Sequence, residues 1–191
     1  MPFSIEVNGF SELLHSMEKL PEKAADVAAL ALFEGAKVEA DAVSRGVQGI
    51  STEPFKYAAG GKKRKPSPEE KAIVAQAQHG VAKFKKDANN VNTSVGFQNS
   101  GYGAISWNHA RTNTRTKYKV GDDGIAKHAS IGKGVSSKPV PLIVNSINSG
   151  TSFMEKQPFL RKAFSQSKGA AEAAIEAGIK SREDMLDPSR N

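Results

Sequence analysis

From Glu22 to Glu53 the chain runs without a proline, and alanine is its commonest residue. Its apolar residues recur three and four apart: Val27, Leu30, Ala31, Phe33, Val38, Ala42 and Val47. That spacing puts them along one side of a helix, and a helix with a stripe this long must bury it against another element. Pro21 suits the first turn of such a helix, where its missing N–H is not needed. Gly35 costs about 1 kcal/mol relative to alanine but need not break it. The constraint that follows is a helical N-terminal half packed on something supplied by the rest of the chain.

The other elements read more locally. Phe3–Val7 alternates apolar and polar residues as a half-buried strand does, and Asn8-Gly9 ends it. From Phe10 a first helical segment carries Leu13, Leu14, Met17 and Leu20 on one face. Residues 48–67, with paired glycines, two prolines and the run Lys62-Lys63-Arg64-Lys65, read as a loop. Ser67-Pro68-Glu69-Glu70 is a capping box with proline at the first helical position. It predicts a helix with Ile73, Ala77 and Val81 on one face, closed at His79-Gly80. Val81–Lys86 and Val91–Phe97 pair as a hairpin across Asp87–Asn90, a turn-rich tetrapeptide.

Asn99–Lys138 is rich in glycine, Thr, Asn and Arg and poor in aliphatics. It predicts a long loop or arm, with at most a short hairpin pairing 105–107 with 118–120. A stretch of that length without its own core is functional more often than filler. Pro139–Ile147 predicts a helical turn or two. Pro158 opens a last amphipathic helix through Phe159, Leu160, Ala163, Phe164, Ala171, Ala174, Ile175 and Ile179, which Met185 and Leu186 extend. The fold class is therefore α+β. It has an N-terminal strand, long N-terminal helices, a small antiparallel sheet with a central hairpin, and a C-terminal amphipathic helix. A single domain spans residues 1–191, with a loop at 48–67 and a flexible arm at about 99–138.

Charge is divided unevenly. Residues 1–49 hold four basic and eight acidic residues, residues 50–154 sixteen and six, and residues 155–191 seven and six. A middle of net +10 beside an N-terminal segment of net −4 suggests a surface that meets something anionic, either nucleic acid or an acidic neighbouring protein. The absence of cysteine excludes a disulfide scaffold, thiol catalysis and Cys-ligated metal centres. No stretch approaches the ~20 apolar residues that span a bilayer, so no membrane contact is expected.

The residues offer no catalytic constellation. His15, His79, His109 and His128 are scattered, and none stands four residues from another, as a helical metal pair requires. Gly132-Lys133-Gly134 fails as a phosphate loop because glycine stands where the hydroxyl residue must, and Lys127 where the earlier glycine must. Gly101-Tyr102-Gly103 lacks the third glycine of a dinucleotide fingerprint. Asp122-Asp123-Gly124 reads as a turn. Two basic tracts remain as contact candidates, with no metal or cofactor implied. The first is Lys62, Lys63, Arg64 and Lys65. The second begins Arg111, Arg115, Lys117, Lys119 and interleaves with Trp107 and Tyr118, a mixture suited to phosphate contact and base stacking or to wrapping an acidic neighbour.

The segment from Asn145 to Lys162 reads as a sharply bent connection. Gly150 can end the preceding helical turn, and Thr151 and Ser152 offer hydrogen bonds to local backbone. Phe153, Met154 and Phe159 are then free to pack.

These residues resemble the gene-product-ten-like tail-component family of long-tailed bacteriophages. The likeness lies in the opening SIEVNGFSELLHSMEKLPEKA, in EGAKVEADAVSR, and in SGTSFMEKQPFLRKAF. The last supplies the family's Gly-Thr (Gly150, Thr151) and its later Pro-Phe-Leu-Arg (Pro158, Phe159, Leu160, Arg161). Phe84–Phe97 is similar to the family's central hairpin. The stretch Gln48–Lys65 departs from the family's pattern, and the Asn99–Lys138 arm is longer than the family core requires.

The resemblance implies a non-enzymatic virion component, assembled in the host cytoplasm and located at the head–tail junction or tail. Such a neck or tail-completion protein oligomerises as a ring and joins the head connector to the tail tube or tail terminator, with DNA in transit a possible further contact. Phe153, Met154, Phe159 and Leu160 would then hold the fold, and the arm would make the partner contacts. The alternative reading is a basic nucleic-acid-binding module that uses the 62–65 loop and the 111–138 arm.

Overall fold

A computed structural model describes residues 22–55, 62–87, 90–110 and 131–182, and among them the class is α+β. The elements are helix α1 (Glu22–Gln48), helix α2 (Pro68–Ala77), strands β1 (Gln78–Val81), β2 (Lys85–Asp87), β3 (Asn90–Asn92), β4 (Val95–Phe97), β5 (Tyr102–Ala110) and β6 (Ile131–Pro139), helix α3 (Val140–Ser149) and helix α4 (Phe159–Lys180). The expected strand at 3–7, the helix at 10–20, the pairing segment at 118–120 and the extension through Met185 and Leu186 lie outside the described residues. The chain forms two compact units, and the path crosses from one to the other inside α2 and again after Ile50, Asn99 and Gln157.

The first unit is a helix pair with a hairpin. Helices α1 and α4 run antiparallel and in contact; Val27, Ala31, Val43 and Val47 are buried on the first, and Phe159, Ala163, Ala171 and Ile175 on the second. The backbones approach closely because small residues stand at the crossings. A Cβ on Gly35 would lie 2.5 Å from Ile175 Cγ1, and one on Gly178 would lie 3.0 Å from Ala31 Cα. Gly35 is thus the place where α1 receives an isoleucine from α4, which outweighs its poor helix propensity.

The hairpin is a ladder broken in the middle. Asp87, Lys86 and Lys85 pair with Asn90, Val91 and Asn92, and Val81 pairs with Val95. Between the two ladders, Ala82 N donates to Ser94 O at 2.8 Å and Thr93 Oγ1 donates to Ala82 O at 2.7 Å. The loop proves narrower than the four residues expected, since Asp87 and Asn90 are themselves paired. Phe97 meets the ring of Phe159 edge-on at 6.0 Å, which ties β4 to the start of α4.

Helix α2 ends at Ala77, earlier than the expected close at His79-Gly80. The chain turns directly into β1, and the pairing of Gln78 with Phe97 and of Gly80 with Gly96 leaves His79 as the extra residue of a bulge. Gly80, at φ +67°, supplies the conformation the bulge needs. Gln78 also donates through Nε2 to Ala40 O at 3.1 Å, which holds the strand to α1.

The second unit is built on a two-stranded ribbon, β5 with β6, and on α3. The strands pair over nine residues each, from Tyr102 with Pro139 to Ala110 with Ile131. Much of what the sequence presents as loop is therefore regular antiparallel sheet, and Ile105 pairs with Ser136 rather than with the 118–120 segment. One face, with Gly103, Ile105 and Trp107, turns inward; the other, with Tyr102, Ala104, Ser106, Val135 and Ser137, is exposed. Trp107 lies over Gly134 and Ile73 lies over Gly103, places where any Cβ would collide. Helix α3 buries Val140, Ile143, Val144 and Ile147, an i, i+3, i+4, i+7 stripe that makes it a full ten-residue helix rather than a turn or two.

Candidate functional site

The run Lys62–Lys65 is not a uniform solvated patch. Lys62 and Lys63 are exposed, whereas Arg64 is 7% exposed and Glu70 is 1% exposed. Arg64 Nη1 and Nη2 donate to Glu70 Oε2 and Oε1, both at 2.6 Å, and Nη1 also donates to Lys65 O at 3.0 Å. The guanidinium carbon sits 4.6 Å from the centre of the Phe55 ring. Glu70 is the acid of the capping box as well. It accepts from Ser67 N at 2.8 Å through Oε2, while its own N donates to Ser67 Oγ at 3.2 Å. Arg64 is therefore corrected from a candidate phosphate or partner contact to a buried structural cation. A charge that deep is tolerable only with this fork-to-fork partner.

The backbone around Arg64 explains why it is drawn in. Arg64 N donates to Phe153 O at 2.9 Å and Glu155 N donates to Arg64 O at 2.8 Å, a parallel bridge between Arg64 and Met154. Glu53 N donates to Pro66 O at 2.9 Å, so three extended segments lie side by side. Lys65 Nζ stands 3.0 Å from Glu53 Oε1, and that hydrogen bond, with the charge behind it, raises the lysine's pKa.

The motif segment that carries the family resemblance is part of the same arrangement. Gly150 takes φ 75° and ψ 170°, an extended conformation of positive φ that favours glycine, and its N donates to Ser146 O. Thr151 Oγ1 accepts from Met154 N at 3.0 Å and from Phe153 N at 3.3 Å, which closes the turn. Gln157 pairs with Ser51 through both ends of its amide. Nε2 donates to Ser51 O at 2.8 Å, and Oε1 accepts from Ser51 N at 2.9 Å. Pro158 caps α4, Phe159 and Leu160 are buried, and Arg161 is exposed. Met154 is buried as expected. Phe153 is corrected: at 44% exposure it does not serve the core, and its carbonyl, not its ring, is what holds Arg64 N.

Arg111, Arg115, Lys117 and Lys119 lie outside the described residues, as do His15, His128 and Asp122-Asp123. Lys138 is half-buried in β6, opposite Gly103. His79 is exposed at the β1 bulge. Among the described residues no group of three or more His, Asp or Glu is placed to hold a metal ion, and no helix is long and apolar enough to cross a membrane.

What the described surface does offer is exposed apolar side chains. In the first unit these are Leu30 at 45% and Phe33 at 42% exposure, with Phe84 beside Phe33 at 6.4 Å between ring centres. In the second they are Tyr102 at 75%, Val135 at 67%, Leu142 and Phe153. Sequence reasoning placed Leu30 and Phe33 on the buried stripe. The positions shown to meet α4, namely Ala31, Gly35 and Gly46, lie on another side of the helix from Leu30 and Phe33.

Comparison with known proteins adds no relative: no family model, no curated protein and no solved structure matches the chain.

Proposed function

We propose that this chain is a non-enzymatic structural component of a phage or prophage virion, a neck or tail-completion protein that self-associates at the head–tail junction and joins head connector to tail. The observation that carries the reading is the use made of the motif behind the sequence resemblance. Gly150, Thr151, Gln157, Pro158 and Phe159 are all consumed in holding backbone and core. Motif positions taken up in this way support a structural role for the segment. The exposed apolar residues support it as well, because such surface fits a protein that meets other proteins.

The rival reading, a nucleic-acid-binding module, has a weaker footing in the described residues. Of its four-residue loop patch, Arg64 is buried on Glu70 and Lys65 is paired with Glu53. Lys62 and Lys63 remain exposed.

Deleting the coding sequence from the phage or prophage that carries it tests the proposal. Electron microscopy of the lysate is expected to show filled heads and separate tails, and complementation from a plasmid restores joined particles. Normal joined particles in the deletion would overturn it. Binding of the purified protein to duplex DNA that is as tight at 200 mM as at 50 mM salt, a range over which a purely phosphate-driven contact to six or more phosphates loses about 10³-fold or more, would move the assignment to the rival.

A further inference from the structure

We infer that copies of this chain join edge to edge, with β6 of one copy hydrogen-bonded to β5 of the next as an antiparallel neighbour, so that the two ribbons form one sheet. This rests on the self-association in the proposed function and names the surface that carries it.

The hydrogen-bonding phase of the ribbon fixes which backbone groups are left over. Val140 N donates to Gly101 O at 3.0 Å, one step past the pairing of Tyr102 with Pro139. Antiparallel pairs alternate between those that exchange both hydrogen bonds and those that exchange none. Gly101–Val140 is therefore a bonded pair, and so, two residues on each time, are Gly103–Lys138 and Ile105–Ser136. Tyr102, Ala104 and Ser106 in β5, and Val135 and Ser137 in β6, then aim their N–H and C=O groups away from the ribbon. Among the described residues no third strand pairs with either edge. Such unpaired rows are templates for another strand, and natural edges are blunted by charged side chains or proline. The outward positions from Tyr102 to Ser106 and from Val135 to Ser137 carry neither.

That both edges are open selects the occupant. A foreign strand, or a two-fold contact of β5 with β5, fills one edge of each copy and leaves the other as it was. Pairing β6 with β5 of the next copy fills both with one kind of contact. The two edges also match in relief. With Ser137 opposite Tyr102 of the next copy, Val135 falls opposite that copy's Ala104, because outward positions stand two residues apart on both strands. Each large side chain then has a small one directly across the joint, and no two large ones meet. Pro139 lies past the end of the shared stretch, where its missing N–H is not needed. The contact is heterologous, and a heterologous contact repeats into a ring when its rotation closes.

The test uses two full-length variants that each spoil one edge, Ala104→Pro and Ser137→Pro, with solution mass read by light scattering on a sizing column. Each removes an outward N–H and no hydrogen bond within the ribbon, which is why an edge tolerates proline there. The wild type is expected to exceed the 20.3 kDa of one chain, and each variant alone to run at that mass. Ala104→Ser, which keeps the N–H, is expected to associate as the wild type does. An equimolar mixture of the proline variants is expected to recover a species of two chains, because each keeps the edge the other lost. If the wild type self-associates and either proline variant does so equally well, this inference fails while the self-association reading stands. If the mixture recovers nothing although both variants keep the wild-type circular dichroism, the joint is not β6 to β5. Should a proline variant lose its fold, hydrogen exchange of the wild type decides instead. Backbone amides of 102–106 and 135–137 are expected to exchange about tenfold more slowly in the assembly than in the dilute monomer, and unchanged exchange overturns the inference. A wild type that stays monomeric up to millimolar concentration overturns both the inference and the self-association, and leaves the deletion phenotype to decide the virion assignment.

Discussion

Arg64 and Glu70 form a two-pronged ion pair, both contacts at 2.6 Å, in a place where neither side chain is more than 6% exposed. The pair joins the extended segment 62–66 to the first turn of α2, and Glu70 also closes the capping box with Ser67. Replacing either partner alone by alanine leaves the other charge buried without its counterion, a loss of about 3–5 kcal/mol. Arg64→Lys should also destabilise, since an ammonium can neither fork onto both oxygens nor lie flat against Phe55. The urea midpoint of each variant checks this. Losses below about 1 kcal/mol, the worth of an exposed pair, would mean that Arg64 is solvated after all.

How far the sequence foretold this differs from element to element. Helices α1 and α4 are legible because their burial follows a 3.6-residue period, and α2 because Ser67-Pro68-Glu69-Glu70 spells out its cap. The ribbon was hidden by its own chemistry. The inward face of β6 presents Gly134, Ser136 and Lys138, so no apolar alternation marks it, and the pairing depends on Trp107 covering a glycine supplied from 27 positions further along. Arg64 was hidden for a different reason. Four consecutive cations read as a solvated run, and only the carboxylate six residues on, already spoken for as a cap, hints that one of them turns inward.

Gly35 and Gly169 give opposite predictions for the same substitution. Gly35→Ala gains about 1 kcal/mol of helix propensity, but its Cβ would stand 2.5 Å from Ile175 Cγ1 and 3.0 Å from Ala171 O. The backbone oxygen cannot step aside without moving α4, so overpacking of about 1–3 kcal/mol should win and the melting temperature should fall. Gly169→Ala meets nothing within 4 Å and keeps the propensity gain, so the melting temperature should rise. Thermal unfolding followed by circular dichroism compares the two directly. A rise for Gly35→Ala would mean that the two helices are not in close contact there.

Gly150→Ala tests the turn that carries the family motif. At φ 75° and ψ 170° an alanine is strained by about 1–3 kcal/mol, and its Cβ would also lie 3.1 Å from the backbone N of Lys156. Thr151→Val, which removes the hydroxyl that accepts from Phe153 N and Met154 N, should cost about 1 kcal/mol for each hydrogen bond lost. Chemical denaturation ranks the two, and a neutral Gly150→Ala would show that the turn adopts another conformation in solution.

Glu39, on α1, supplies a pH dependence whose sign can be worked out. Burial pushes its carboxyl above the usual carboxylate range, so the folded chain holds that proton more readily than the unfolded chain does. Stability contributed by this group is therefore greatest at low pH and declines as pH rises through the raised folded value. Glu39→Gln, which keeps the shape and removes the charge, should accordingly raise the melting temperature at pH 7. The advantage over the wild type should shrink as pH falls below the ordinary carboxylate range, where both side chains are neutral in both states. Melting curves of the two proteins at matched pH values from neutral to acid read the difference directly. A gap that widens on acidification would mean that Glu39 is held by a favourable charge partner and not by desolvation.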